Sequence, residues 1–142
     1  MDKVLLVEDE DIIRRGLLYA VDWLKEDCVV VGEAMDGIDG LKKIDTLRPD
    51  IVITDVKMPY LDGLGMLEQS RDRGYEAIIL SGYDEFSYAK RAISLDVAEY
   101  LLKPVDFDAL HESLVRAKER LRRRAETRRR ALEDAAHAPS GK

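Results

Sequence analysis

The stretch Asp50 to Pro59, DIVITDVKMP, decides the fold. Ile51, Val52, Ile53 and Thr54 are apolar or β-branched with no polar alternation, which is the composition of a strand covered on both faces of a parallel sheet. Asp55 is a poor continuation of such a strand, and Met58-Pro59 followed by Asp62-Gly63 reads as an irregular loop, so Asp55 is placed where the strand leaves the sheet. In an open α/β sheet that edge is where ligands bind.

Three further runs end in the same way. Val4 to Val7 is apolar and stops at Glu8, Asp9, Glu10 and Asp11; Ala77 to Leu80 stops at Ser81-Gly82; Tyr100 to Leu102 stops at Lys103-Pro104. Four strand ends therefore carry acid, acid, hydroxyl and ammonium.

Strands and helices alternate between these points. Lys3 to Val7 is followed by a helical pattern from Ile12 to Leu24, with Ile13, Leu17, Ala20, Val21 and Leu24 at helical spacing. Cys28 to Val31 is a second buried strand, closed by Gly32. Gly37 to Leu47 puts Ile38, Leu41, Ile44 and Leu47 on one stripe, and Arg48-Pro49 stops it. Leu64 to Arg73 is a short helix ended by Gly74, and Asp84 to Leu95 is another, with Asp84 as its N-cap. Val97 to Leu102 is the last strand, and Asp106 caps a final helix that runs from about Phe107 past Leu121. Five β/α repeats with short connections predict a doubly wound α/β sandwich with a five-stranded parallel sheet.

The chain of 142 residues is long enough to bury a core as one domain, and 46% apolar content fits a soluble globular protein. No apolar run approaches the roughly 18 residues that span a bilayer, and no signal peptide is legible, so a cytoplasmic location without membrane contact is expected. The single Cys28 reads as a small buried hydrophobe. Residues 1–108 hold 13 Lys/Arg against 24 Asp/Glu and residues 109–142 hold 10 against 5, so the overall charge of -6 divides into -11 and +5. The acidic globular part lacks the clustered cations that nucleic acid requires. In the tail, Arg122 to Arg124 and Arg128 to Arg130 are interleaved with Glu119, Glu126 and Glu133, and no aromatic residue follows Phe107. That composition describes a solvated or partner-facing helix rather than a nucleic-acid grip. Residues 1–121 are expected to form the domain and residues 122–142 an arginine-rich extension with a frayed end around Pro139-Ser140-Gly141.

Carboxylates that converge at one rim must take up protons or bind a cation, because like charges a few ångströms apart raise each other's pKa. Oxygen-only ligands point to Mg²⁺ or Mn²⁺, the usual companion of phosphoryl groups. Asp55 can then act as a carboxylate nucleophile toward phosphorus. Lys103 and the Ser81 hydroxyl would meet the remaining phosphoryl oxygens. Singly, each residue has a plainer reading: Lys103 a solvated strand-end lysine, Ser81 a turn former, Glu8 and Asp9 a helix-start acidic pair. Their joint occurrence at successive strand ends favours the chemical one.

The chain resembles the response-regulator receiver domain over Lys3 to about Leu121, through VEDE at Val7 to Glu10, TDVKMP at Thr54 to Pro59, LSGYDEF at Leu80 to Phe86 and YLLKP at Tyr100 to Pro104. The resemblance implies a flavodoxin-like sheet of order 2-1-3-4-5 and an aspartyl phosphate at Asp55. It implies Asp9 as direct metal ligand with Asp55, Glu8 reaching the metal directly or through water, and Lys57 contributing its backbone carbonyl. Ser81 would be the switch hydroxyl, Tyr100 the switch aromatic and Lys103 the phosphate-contacting lysine, with a cis Lys103-Pro104 bond. Many members carry Asp where this chain has Glu8. The stretches GYDEFSYAKRAI, from Gly82 to Ile93, and VKMPYLDG, from Val56 to Gly63, resemble receivers that precede an arabinose-regulator-type helix-turn-helix domain. A sensor histidine kinase or histidine phosphotransfer protein would supply the phosphoryl group. Phosphorylation would then reshape the face built from Asp84 to Leu102 and favour a homodimer.

Three other readings compete. A stand-alone receiver in a phosphorelay has the same motifs. A haloacid-dehalogenase-type phosphatase resembles Asp-x-Asp at its nucleophile, but the second position here is Lys57, which cannot shuttle the proton that turnover needs. A nucleotide-binding module would open its first helix on a glycine-rich loop, and Glu8 to Ile13 is acidic and glycine-free.

Overall fold

The computed structural model describes residues 1–82 and 99–137. Its five strands are β1 Asp2–Val7, β2 Cys28–Ala34, β3 Ile51–Asp55, β4 Glu76–Ser81 and β5 Glu99–Leu102. They form one parallel sheet of order β2-β1-β3-β4-β5, the flavodoxin-like order. Helices α1 Asp11–Ala20, α2 Gly37–Leu47 and α3 Gly63–Ser70 connect the strands, and a C-terminal helix spans Phe107–His137. The expected helix from Asp84 to Leu95, with its Asp84 cap, lies outside the described residues.

Strand periodicity sorts the core into two layers. Val4 and Leu6 of β1 point toward Leu17 and Trp23 on one side, with Leu110, Leu114 and Ala117 of the C-terminal helix; Leu5 and Val7 point the other way, toward Ile44, Leu64, Met66 and Leu67. β3 is buried along its whole length, as its uninterrupted apolar run requires. Cys28 is buried among the first group, and burial pushes its thiol up to about 11, so it behaves as a hydrophobe.

Three local features depart from the sequence expectation. The first helix stops at Ala20 rather than Leu24, because Val21 is extended and the Trp23 indole Nε1–H donates to the carbonyls of Leu17 and Leu18, satisfying the helix end. Leu24 fits the apolar stripe by spacing but is exposed. Gly32 does not close the second strand; β2 continues through it to Ala34, with a register shift opposite Val4 and Leu5. Ile38 of α2 is also exposed, while Leu41, Ile44 and Leu47 of the expected stripe pack on the core, joined by the buried Gly37 and Gly40.

The Asp106 carboxylate accepts from the Asp108 N–H at 2.9 Å, capping the C-terminal helix. Leu110, Ser113, Leu114 and Ala117 are buried against the sheet, while every residue from 122 to 137 is exposed. At the usual rise per residue, that exposed part extends about 24 Å. Six of the helix's arginines form ion pairs of two kinds. Arg116, Arg120 and Arg124, one turn apart, reach back to the strand starts: Arg120 bridges Glu76 of β4 at 2.8 Å and Glu99 of β5 at 2.9 Å. Burial works against the Glu99 charge, and Arg116 and Arg120 outweigh it, so its carboxyl is held below the usual range. Arg123, Arg129 and Arg130 pair only with neighbouring glutamates on the exposed helix surface. Such exposed pairs contribute little.

Candidate functional site

Because all five strands are parallel, the ends of β1, β3, β4 and β5 open on one rim. Glu8 and Asp9 follow β1, Asp55 and Ser81 are the last residues of β3 and β4, and Lys103 follows β5. Carboxylate oxygens of Glu8, Asp9 and Asp55 all lie within 4.8 Å of one another. Lys103 Nζ stands 3.0 Å from Glu8 Oε1 and 3.0 Å from Asp55 Oδ2. Two acids and one ammonium thus sit in a nearly closed space, with Glu8 only 1% exposed, Asp55 3% exposed and Asp9 open to solvent.

Each group is oriented by backbone. Asp55 Oδ1 accepts from the Val56 N–H at 2.7 Å, which leaves Oδ2 facing Lys103. Glu8 Oε2 accepts from the Glu10 N–H at 3.1 Å, and the Lys103 N–H donates to the Ser81 carbonyl at 2.8 Å. The Lys103-Pro104 peptide is cis, as the family resemblance implies. Tyr100 is half-buried on the α2/α3 side, and the Lys57 side chain is exposed. Among the described residues, two buried side-chain oxygens have no hydrogen-bond partner, Glu8 Oε1 and Ser81 Oγ. Glu8 Oε1 nonetheless faces the Lys103 ammonium at 3.0 Å, so its charge is met, and Ser81 Oγ is the oxygen left without such a neighbour. Both atoms border the same rim.

The electrostatics follow from this crowding. Burial, then the neighbouring Asp55 charge, pushes the Glu8 carboxyl up to about 8. Burial also raises Asp55, against the opposing pull of Lys103. Burial alone would weaken the Lys103 charge, but the two carboxylates outweigh it and hold the ammonium above its ordinary value. The cluster thus carries an excess of negative charge that a proton or a hard cation relieves.

The loop after Asp55 is seated by close backbone approach. The Gly63 N–H donates to the Val56 carbonyl at 2.7 Å, and a Cβ at Gly63 would stand 1.9 Å from the Asp55 carbonyl oxygen. Gly63→Ala is therefore expected to lower stability by about 3 kcal/mol, since rigid backbone must move to admit the methyl. Urea denaturation measures it, and an unchanged midpoint would contradict this packing.

One polar residue at the site escaped the sequence reading. Arg14 of α1 is buried; its Nη1–H donates to the Glu8 carbonyl oxygen at 2.8 Å, its Nε–H to Glu33 Oε1 at 3.1 Å, and its Nη2–H to Asp11. The available signal was its place three residues before Leu17, on the inward stripe of an amphipathic helix where a charge demands partners.

A flavodoxin-like sheet whose strand ends gather three carboxylates, a hydroxyl and a lysine puts the chain in the class of doubly wound α/β domains that carry their site at the carboxyl ends of the strands. The sequence model of the response regulator receiver domain matches residues 4–115, and the chain belongs to that family. It is 38% identical over 114 residues to an uncharacterized response regulatory protein of Staphylococcus epidermidis, covering 80% of this chain and 45% of that one. It is 37% identical over 116 residues to the transcriptional regulatory protein HptR of Staphylococcus aureus, covering 82% and 46%. The receiver domain of AraT, a response regulator from Geobacillus stearothermophilus, superposes with a TM-score of 0.82 at 40% identity, covering 87% of this chain and 98% of that one. The chain spans less than half the length of these curated relatives. Family membership sets aside the haloacid-dehalogenase and nucleotide-binding readings. Among the described residues, no helix is long and apolar enough to cross a membrane.

Proposed function

We propose that this receiver domain is a phosphorylation switch in which Asp55 accepts a phosphoryl group from a phosphohistidine of a sensor kinase or phosphotransfer protein. The observation that carries the reading is the contact of one ammonium with two buried acids, Lys103 with Glu8 and Asp55, beside a buried Ser81 hydroxyl that lacks a partner. An Asp55 carboxylate oxygen forms the new O–P bond while the P–N bond breaks, and the imidazole leaves and takes a proton from solvent. Lys103 opposes the effect of burial on the Asp55 charge beforehand and pairs with a phosphoryl oxygen afterwards. The Ser81 hydroxyl then donates to another phosphoryl oxygen, filling its missing hydrogen bond. Asp9, Asp55, Glu8 and the Lys57 carbonyl would hold Mg²⁺ or Mn²⁺, and the convergence of three carboxylates with raised pKa values at Glu8 and Asp55 suits such a hard cation. Bound there, the metal neutralises charge on the phosphoryl oxygens.

Movement of Ser81 toward the phosphoryl group frees space for Tyr100, which alters the surface beyond β4 and β5 and favours a homodimer. Residues 1–121 form the receiver and residues 122–142 an arm toward an output domain. The name of HptR and its greater length support a transcription regulator, and the stretches Val56 to Gly63 and Gly82 to Ile93 support an arabinose-regulator-type helix-turn-helix output in a cytoplasmic protein.

Incubation with a small acyl phosphate tests the switch. One phosphoryl group is expected by intact mass with Mg²⁺ or Mn²⁺, none after chelation, and none on Asp55→Asn with metal. Stoichiometric gain by Asp55→Asn would make the assignment wrong. Ser81→Ala is expected to leave phosphorylation within about tenfold of the parent rate, since one donor is lost from several. Dimerisation on phosphorylation, measured by sedimentation, should weaken more than the rate; equal losses would make Ser81 purely catalytic.

A further inference from the structure

Arg14 has no part in the proposed switch, yet among the described residues it is the one arginine whose side chain is nearly enclosed beside the acidic rim, at 9% side-chain exposure. Burying a guanidinium is costly unless its donors are matched, and here three different elements match them: the Glu8 carbonyl after β1, Asp11 at the start of α1 and Glu33 in β2. The fork spans the turn from Glu8 to Asp11. On that turn, the Glu8 N–H donates to the Ala34 carbonyl at 2.9 Å, the Glu10 N–H to Glu8 Oε2 at 3.1 Å, and the Arg14 N–H to the Glu10 carbonyl at 3.0 Å. Asp9 thus lies between two residues whose backbones are tied, although its own side chain is exposed and nothing in the core packs it. A metal ligand on a solvent-exposed turn is only as well placed as the backbone that carries it, and outer contacts of this kind tune affinity.

We infer that Arg14 is a positioning residue for the divalent cation: by gripping the Glu8 carbonyl and anchoring to Asp11 and Glu33, it holds the Glu8–Asp11 turn so that Asp9 and Glu8 converge with Asp55. The inference rests on the metal reading above. Geometry and charge pull in opposite directions here. A cation acting through its charge alone would repel Mg²⁺, so its loss would tighten binding, whereas loss of the fork loosens it.

Arg14→Lys separates the two effects, because it keeps the charge and lacks the planar fork. Isothermal titration of Mg²⁺ into Arg14→Lys is expected to give a dissociation constant about tenfold higher than the parent's, the usual scale for losing an outer contact to a metal ligand. Its phosphorylation by a small acyl phosphate should recover at saturating Mg²⁺. Glu33→Ala, on the edge strand, removes one anchor and is expected to weaken Mg²⁺ about threefold, with the loss persisting in about 0.5 M salt, where charge effects are screened. If Arg14→Lys fails to fold, Glu33→Ala decides the matter. A lowered melting temperature with an unchanged Mg²⁺ constant in either folded variant would make Arg14 merely structural and overturn the proposal. A parent protein that binds no Mg²⁺ would overturn the metal reading and this inference together.

Discussion

Lys103→Met is expected to lower the unfolding free energy by about 2 kcal/mol at pH 8 without divalent metal. Removing one partner of a buried ion cluster strands the others, at a cost of about 3 to 5 kcal/mol when fully enclosed, and partial exposure of Lys103 reduces it. The deficit should shrink on acidification. Glu8 titrates at about 8 when folded, against an ordinary 4.5, so between those values the folded chain holds a proton that the unfolded chain has released. Stability from this group is therefore greatest below the lower value and falls as pH rises through the window. Without Lys103 the two carboxyls share a proton more tightly, which steepens the fall. Urea denaturation at pH 5.5 and pH 8 measures the difference. A deficit that does not change with pH would mean that Lys103 acts by packing its stem rather than by its charge.

Asp55→Asn is expected to act in the opposite direction. Glu8 and Asp55 share one ammonium, so neutralising Asp55 leaves a balanced pair and removes the like charge that helps to raise Glu8. A gain on the order of 1 kcal/mol at pH 8 is expected in the metal-free protein. The same substitution should abolish stabilisation by Mg²⁺, which in the parent amounts to about 1.4 kcal/mol at ten times the dissociation constant. Thermal unfolding with and without Mg²⁺ reads both effects. A destabilised Asp55→Asn that still responds to Mg²⁺ would place the cation elsewhere.

The sheet was legible because its central strands are buried on both faces and carry no alternation, so Val4 to Val7, Ile51 to Thr54 and Ala77 to Leu80 stand out as apolar runs. The site was legible as a set of strand ends for the same reason: polar residues interrupt these runs where the chain reaches the rim. Features that depend on tertiary partners were not. Gly32 carries a turn signal, yet it lies within β2, where a Cβ would stand 2.6 Å from the Leu47 side chain; the glycine serves close packing under α2 rather than chain reversal. Leu24 continues the periodicity of α1, but Trp23 closes that helix through its indole, a contact that spacing does not encode. Arg14 looked like an ordinary helix residue because its partners Glu8 and Glu33 come from the turn after β1 and from β2. Likewise, Arg124 reads as part of a solvated basic run, and only the fold brings Glu76 beneath it.

The most direct test of the central claim is chemical trapping of the phosphorylated residue. Borohydride reduces an acyl phosphate to the alcohol, so treatment after phosphotransfer from a small acyl phosphate with Mg²⁺ converts a modified aspartate to homoserine. Peptide mass mapping is predicted to find homoserine at Asp55 alone, in proportion to the phosphoryl group gained. Homoserine at Asp9 or Asp62, or a gained phosphoryl group with Asp55 unreduced, would contradict the account.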